Sequence, residues 1–225
     1  MATEDYDRLE PLMSRVTLDR DFLVTEAGST VAMAYFPAGA ALSVVTLMAA
    51  GQGVETCTIG HENAYGLDHA LGASIAVERV ICQIPGVCYQ VATSQLRQVA
   101  NQSPALTSLL VRHIQANLAQ TSQSVACNAS HPVEARLCRW LLMSHDRAGI
   151  DVLPLTHEFL SYMLGVQRTT VTIAARALRA AGLIGYRRGR IEILDREGLE
   201  EAACECYATT GLKHAQIFEG FPRLR

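Results

Sequence analysis

The stretch from residue 151 to 194 constrains the fold more than any other part of the chain. Thr156 is placed to cap a helix over residues 157–164 that turns Phe159, Leu160, Met163 and Leu164 inward, and Gly165 ends it. A second helix begins at Gln167 and carries an apolar stripe of Val171, Ala174, Ala175 and Leu178. Gly182 stops it, because glycine takes the left-handed backbone of a helix terminus without a Cβ clash. Ser161, a small residue four positions before Gly165, lets the two helices cross closely. Residues 183–186 and 191–194 are short apolar runs flanking Arg187-Arg188-Gly189-Arg190, and residues 151–155 read as a further extended piece. Helix, glycine turn, helix and arginine-tipped hairpin together predict a winged helix-turn-helix.

Charge separates this part of the chain from the rest. The net charge of −3 covers 5 Arg against 11 acids in residues 1–100, and 13 Arg with one Lys against 11 acids in residues 101–225. Residues 165–190 hold six arginines (Arg168, Arg176, Arg179, Arg187, Arg188, Arg190) and no carboxylate. A solvated face would mix signs, whereas a surface that meets phosphates would not.

Ahead of this segment the pattern changes twice. Apolar positions at Leu9, Leu12, Met13 and Val16 predict a short leading helix over 5–18. From about 24 to 91, short runs rich in Val, Ile, Thr and Ala, such as 31–36, 42–47 and 54–59, alternate with turns at Pro37-Ala38-Gly39, Gly51-Gln52-Gly53, Gly60 and Pro85-Gly86. That rhythm predicts an antiparallel β-barrel or sandwich. Ser103-Pro104 then opens a long helix in good form, a capping hydroxyl with proline in the first turn. Along it Val111, Ile114, Leu118, Thr121 and Val125 fall at alternating steps of three and four. Such a seam fits either a parallel two-stranded coiled coil or the chain's own β-domain. His131-Pro132 starts another helix to about 147, with Glu134 placed to reach back as a capping partner. The expected division is a sensory β-domain with its leading helix over 1–103, a dimerisation helix and hinge over 104–130, and a winged helix over 131–225.

Other functional classes find little footing. Seven scattered cysteines without a Cys-x-x-Cys pair suggest reduced thiols, with no disulfide framework, zinc ribbon or other metal site. Cys204 and Cys206, if helical, would point apart. No apolar run approaches a membrane span, and the acidic start of the chain is unlike a signal peptide, so a cytoplasmic location is expected. Gly-x-Ser-x-Gly, Walker, His-Glu-x-x-His and Gly-x-Gly-x-x-Gly signatures are all missing, so no enzyme is expected.

Several strings resemble the Crp/Fnr family of bacterial regulators: residues 131–142 (HPVEARLCRWLL), 155–160 (LTHEFL), 163–172 (MLGVQRTTVT) and 203–207 (ACECY). The resemblance covers nearly the whole chain and implies an α+β fold: an N-terminal cyclic-nucleotide-binding-like antiparallel β-barrel (jelly roll), a long dimer helix and a C-terminal winged helix. It also implies a homodimer on double-stranded DNA, with RNA polymerase as a further partner. Base reading falls to Gln167, Arg168, Thr169, Thr170 and Thr172. Thr156, Arg176, Arg187, Arg188 and Arg190 are assigned to phosphates. The chain also departs from the family's best-known members. Where nucleotide-binding members present a ribose glutamate and a phosphate arginine, residues 66–79 here place Leu67 and Glu78, unless a slip of one makes Arg79 the partner. No cysteine precedes Cys57 to hold an N-terminal iron–sulfur cluster, and His61, His69 and His113 are the histidines that a haem could claim. Thr169 and Ile173 replace two of the family's base-reading residues, so the operator differs from its best-known half-site. No cofactor is expected, and the signal is an unknown molecule or none. The competing reading is a ligand-binding dimer whose winged helix contacts protein rather than DNA.

Overall fold

The computed structural model describes residues 3–49 and 51–220; the extreme ends of the first and last expected segments lie outside it. Helix α1 (Thr3–Leu9) runs into a 3-10 turn (Glu10–Leu12) and then strand β1 (Ser14–Leu18). The single leading helix expected over 5–18 is therefore too long. Ser14 to Leu18 pair in register with Gln90 to Gly86, a ladder whose partner lies some seventy residues away and leaves no local trace. Strands β2 (Leu23–Thr25), β3 (Met33–Pro37), β4 (Ala41–Leu47) and β5 (Gly53–Ile59) follow. Then come helix α2 (Leu67–Leu71), strands β6 (Arg79–Ile84) and β7 (Gly86–Ala92), and helix α3 (Thr93–Ala100).

These strands form two antiparallel sheets, β1-β7-β3 and β2-β6-β4-β5. The β-rich N-terminal part and the α+β class match expectation, but the sheets are not closed into a barrel. They face each other as a sandwich, with Leu18, Tyr35 and Cys88 of one sheet against Leu42, Cys57, Ile59, Val80 and Cys82 of the other. Gly86 lets the start of β7 pass close to the turn before β4, since a Cβ there would lie 2.5 Å from the Gly39 backbone.

Helix α4 (Pro104–Ser130) starts as its sequence predicts, with Ser103 Oγ accepting from the Leu106 N–H at 3.1 Å. Leu106 and Leu110 join Leu9, Leu67, Val91, Leu96 and Val99 in a core beneath α1 to α3. Helix α5 (Val133–Ala148) follows a proline cap without a side-chain capping bond, so Glu134 does not take the expected role. Beyond it lie β8 (Val152–Leu153), α6 (His157–Leu164), α7 (Arg168–Ala180), β9 (Ile184–Arg187), β10 (Arg190–Ile193), α8 (Arg196–Ala202) and α9 (Cys206–Ile217). The order β8-β10-β9 is the wing sheet.

One core crosses from the sandwich into the winged helix. Ala41, Val45 and Ile84 pack with Leu137, Trp140, Leu141, Leu160 and Met163. This explains why Ala41 to Val45 of β4 are covered on both faces rather than alternately. At the same contact Trp140 Nε1 donates to the buried Glu55 side chain at 2.9 Å, and Glu55 also accepts from Ser43 and Thr58. Burial pushes the Glu55 pKa up. Arg147 reaches Glu62 at 2.6 Å and Gln120 at 3.2 Å, tying α5 to the turn after β5 and to α4.

His113 on α4 supplies a pH dependence. Its Nδ1 is 3.0 Å from Asn63 Oδ1 and its ring lies against Phe218. Burial, with His214 beside it, pushes its pKa down to about 4, while Glu62 pulls weakly the other way. The unfolded chain takes the proton first, near the ordinary histidine value. Stability from this group is therefore complete above about pH 6.5 and is lost as pH falls toward 4. Discounted for partial exposure, the expected loss is about 1–2 kcal/mol. Urea midpoints at pH 7 and pH 4.5 should fall further apart for the wild type than for His113→Gln; equal differences would refute this assignment.

Candidate nucleic-acid interface

The two helices of the motif are built as their residues dictate. Thr156 Oγ1 accepts from the Phe159 N–H at 3.1 Å, and Gly165 takes the left-handed conformation at φ 64°. Gly165 also meets the sandwich, since a Cβ there would lie 2.8 Å from Val54. On α7, Val171, Ala174, Ala175 and Leu178 are buried, and Gly182 follows at φ 78°. Opposite this stripe, Gln167, Arg168, Thr169, Ile173, Arg176 and Arg179 are exposed.

The wing turn is a two-residue hairpin loop. Arg188 and Gly189 sit at φ 51° and 75°, the pair of positive values that a type I′ turn needs. Strain at Arg188 is tolerated at the point where the chain presents a guanidinium outermost. Arg187 and Arg190 face each other across the strands, a like-charge pairing that costs stability unless an anion lies over it. Among the described residues none of the six arginines has a carboxylate within ion-pair distance, whereas Arg79, Arg147 and Arg196 do.

The expected base-reading positions are not equivalent. Gln167, Arg168 and Thr169 are open to solvent at the start of α7, and Gln167 makes no capping bond with its side chain. Thr170 is half-buried. The Thr172 hydroxyl donates to the Arg168 carbonyl at 2.9 Å and lies 3.1 Å from His157 Nδ1. His157 in turn stacks on Tyr186 of the wing at 4.2 Å between ring centroids. Burial, then the charges of Arg168 and Arg176, lower the His157 pKa and favour its neutral form. This Thr172–His157–Tyr186 stack fixes α7 against the wing; its members are dispersed in sequence and only the fold unites them. The Thr156 hydroxyl is occupied as a cap, and beside it Gly189 brings the wing tip close, a Cβ there lying 3.2 Å from Thr156 Cγ2. Ile173, 64% exposed on the same helix, is an apolar contact that composition alone does not single out.

A family model described as the Crp-like helix-turn-helix domain matches residues 135–202, which spans α5 to α8. That part of the chain is similar to a Crp-like helix-turn-helix domain. Among curated proteins it is 31% identical over 109 residues to the transcriptional regulator SdrP of Thermus thermophilus, covering 46% of this chain and 54% of that one. The chain thus spans about half the length of that relative. Among solved structures it resembles FixK2 from Bradyrhizobium japonicum, with a TM-score of 0.71 at 15% identity, covering 85% of this chain and 98% of that one. It also resembles a CRP/FNR-family transcriptional regulator from Thermus thermophilus, with a TM-score of 0.68 at 18% identity, covering 84% and 98%. At such identities these two likenesses speak for the fold.

Residues 66–79 are the segment that the resemblance sets against a cyclic-nucleotide cassette. Leu67 is a core residue, 1% exposed. Glu78, Asp68 and His69 bring their ligand atoms within 4.8 Å of one another, and Asp68 bonds His69 at 2.8 Å. Arg79 is engaged with Glu26 at 2.7 Å. Arg97 donates to the carbonyls of His69 and Gly72, so the guanidinium beside this segment is held by backbone oxygens, and two carboxylates lie close by. His69 is enclosed, and His113 is bonded to Asn63.

On the long helix, Val111, Leu118 and Val125 are 48%, 65% and 62% exposed, at steps of seven residues along one face. Ile114 packs partly on the core under α1 to α3, and Thr121 is half-buried. The seam thus has an open edge and an edge leaning on its own protomer. Among the described residues no helix is long and apolar enough to cross a membrane.

Proposed function

We propose that this chain is a homodimeric, sequence-specific DNA-binding regulator of transcription. The observation that carries the reading is the joint surface of α7 and the wing: six arginines without carboxylate partners beside open Gln167, Arg168 and Thr169. Two such surfaces, related by a two-fold axis along α4, would meet duplex half-sites about 34 Å apart. In this reading Gln167, Arg168, Thr169, Thr170 and Thr172 meet base edges, with Ile173 suited to a thymine methyl, while Thr156, Arg176, Arg187, Arg188 and Arg190 line the backbone. The division at 1–103, 104–130 and 131–225 belongs to the same proposal, although the core shared by β4, β6 and α5 ties the first and last parts together. The protein acts in the cytosol, carries out no catalysis and works through RNA polymerase.

The reading includes a signal other than a cyclic nucleotide: by the resemblance Leu67 and Glu78 fall where a ribose glutamate and a phosphate arginine are expected, and Leu67 is buried in the core while Asp68 lies beside Glu78. Cyclic AMP and cyclic GMP at millimolar concentration should leave the melting temperature unchanged, whereas ligand at 100 times its Kd would add about 2.7 kcal/mol. A shift of several degrees would contradict this. Mapping bound sites across the source genome tests the main proposal. It should return a palindromic motif with half-sites one helical turn apart; scattered sites without a shared motif would overturn it.

A further inference from the structure

Four residues that lie 77 and more positions apart at the extremes meet at the end of the long helix. Cys127 Sγ is 3.4 Å from Cys204 Sγ, and Cys206 Sγ is 3.6 Å from His131 Nδ1. All four ligand atoms lie within 4.8 Å of one another. The three cysteines are buried, and they form a small core of their own. Cys127 lies in the last turn of α4, and His131, which caps that helix with extended backbone, donates its N–H to the Cys127 carbonyl. Cys204 and Cys206 do not lie on one helix as the sequence suggested. Cys204 sits in the link after α8 and Cys206 opens α9, so both sulfurs turn to the same point.

We propose that Cys127, His131, Cys204 and Cys206 form a structural zinc site. A tetrahedral Zn²⁺ with sulfur at about 2.3 Å and nitrogen at about 2.0 Å needs ligand atoms roughly 3.5–3.8 Å apart, which the two measured pairs already approach. Three thiolates and an imidazole are a closed, soft set that suits zinc over calcium or magnesium.

The surrounding groups favour the same occupant. Glu205 Oε1 lies 3.1 Å from His131 Nε2, so Nε2 keeps its proton and donates it to the carboxylate, leaving the Nδ1 lone pair directed at the sulfurs. Gln123 Nε2 donates to Cys206 Sγ at 3.0 Å, and Lys213 Nζ fixes Gln123 through its carbonyl at 2.7 Å. An amide donor held onto a buried sulfur is an arrangement that stabilises a thiolate. Arg136 and Arg139 act electrostatically on Cys127, and each keeps a buried Nε without a hydrogen-bond partner. A Cys₃His zinc centre carries one net negative charge, which would balance these buried cations. Arg136 also bonds the Leu164 carbonyl at the end of α6. The site thus joins the end of the long helix to the far end of the winged helix and, through Arg136, to the turn before α7.

The test is the metal content of the full-length protein purified with reductant and without chelator. About one zinc per chain is expected. Cys127→Ser and Cys204→Ser should retain less than a tenth of that, while Asp68→Asn with Glu78→Gln, which removes the other cluster of ligand atoms, should retain all of it. Glu205→Gln keeps the four ligands and should weaken zinc binding roughly 10–100-fold. Should the serine variants fail to fold, cobalt added to chelator-treated wild type answers independently. One equivalent should give the intense ligand-field bands of a tetrahedral site together with thiolate-to-cobalt charge transfer. Metal-free protein that gives no tetrahedral cobalt spectrum, a Cys127–Cys204 disulfide in the isolated protein, or iron with acid-labile sulfide would each overturn the proposal.

Discussion

Leu118→Glu is expected to leave the protomer folded, convert the dimer to a monomer and weaken binding to a duplex with two half-sites by about 10²–10⁴-fold. The side chain is 65% exposed on α4, so its loss removes almost nothing from the protomer's own cores, and a surface change of this kind falls within about 0.5 kcal/mol. In the proposed dimer the same residue lies on the edge shared with Val111 and Val125, where two carboxylates would face each other across the two-fold axis. The second half-site then no longer binds intramolecularly, which is the origin of the large factor. Light scattering, circular dichroism and DNA titration on one preparation check the three parts together. A monomeric wild type that binds DNA as tightly as the variant would remove the seam from the account.

The arginines should divide into two kinds. Arg168 stands open in the first turn of α7, and its loss should cost roughly 1–3 kcal/mol on the cognate operator while sparing random duplex. Arg187, Arg188 and Arg190 surround the wing turn with no carboxylate partner, and Arg187 and Arg190 face each other across it. Their loss should weaken cognate and random DNA alike. Each phosphate contact removed should make the slope of log affinity against log salt shallower by about 0.9, so the triple alanine variant should lose close to 2.7. Fluorescence anisotropy at several salt concentrations on cognate and scrambled duplexes distinguishes the two kinds. If Arg168→Ala weakens both duplexes equally, Arg168 holds a phosphate and the reading of bases shifts to Gln167, Thr169, Thr170 and Thr172.

Legibility in the sequence followed the range of the interactions. Thr156, Gly165, Gly182 and Ser103-Pro104 act within a turn of chain, and the helices they bound lie where their residues place them. Long-range pairing was less visible. Val16 and Leu18 suit a helix face as well as a strand, and only the ladder to residues 86–90 decides for β1. The sequence of β4, with Ser43 and Thr46 among its apolar residues, did not reveal that its second face is covered by α5 and α6. The arginine surface was legible because it is a matter of charge composition over a short stretch. The cysteine–histidine cluster was not, because residues 127 and 131 meet 204 and 206 only after α4 packs against the link following α8. The signal that existed was two short spacings, Cys-x3-His and Cys-x-Cys, neither of which carries much weight alone.

The most direct test of the central claim is the affinity of the purified dimer for random duplex DNA, measured by anisotropy from low to physiological salt. A surface of arginines placed on phosphates predicts a straight line of log Kd against log salt whose slope corresponds to several released counterions, with tighter binding to the mapped operator on the same axes. A dimer that shows no binding to either duplex, or binding indifferent to salt, would contradict it and leave the winged helix as a surface for protein.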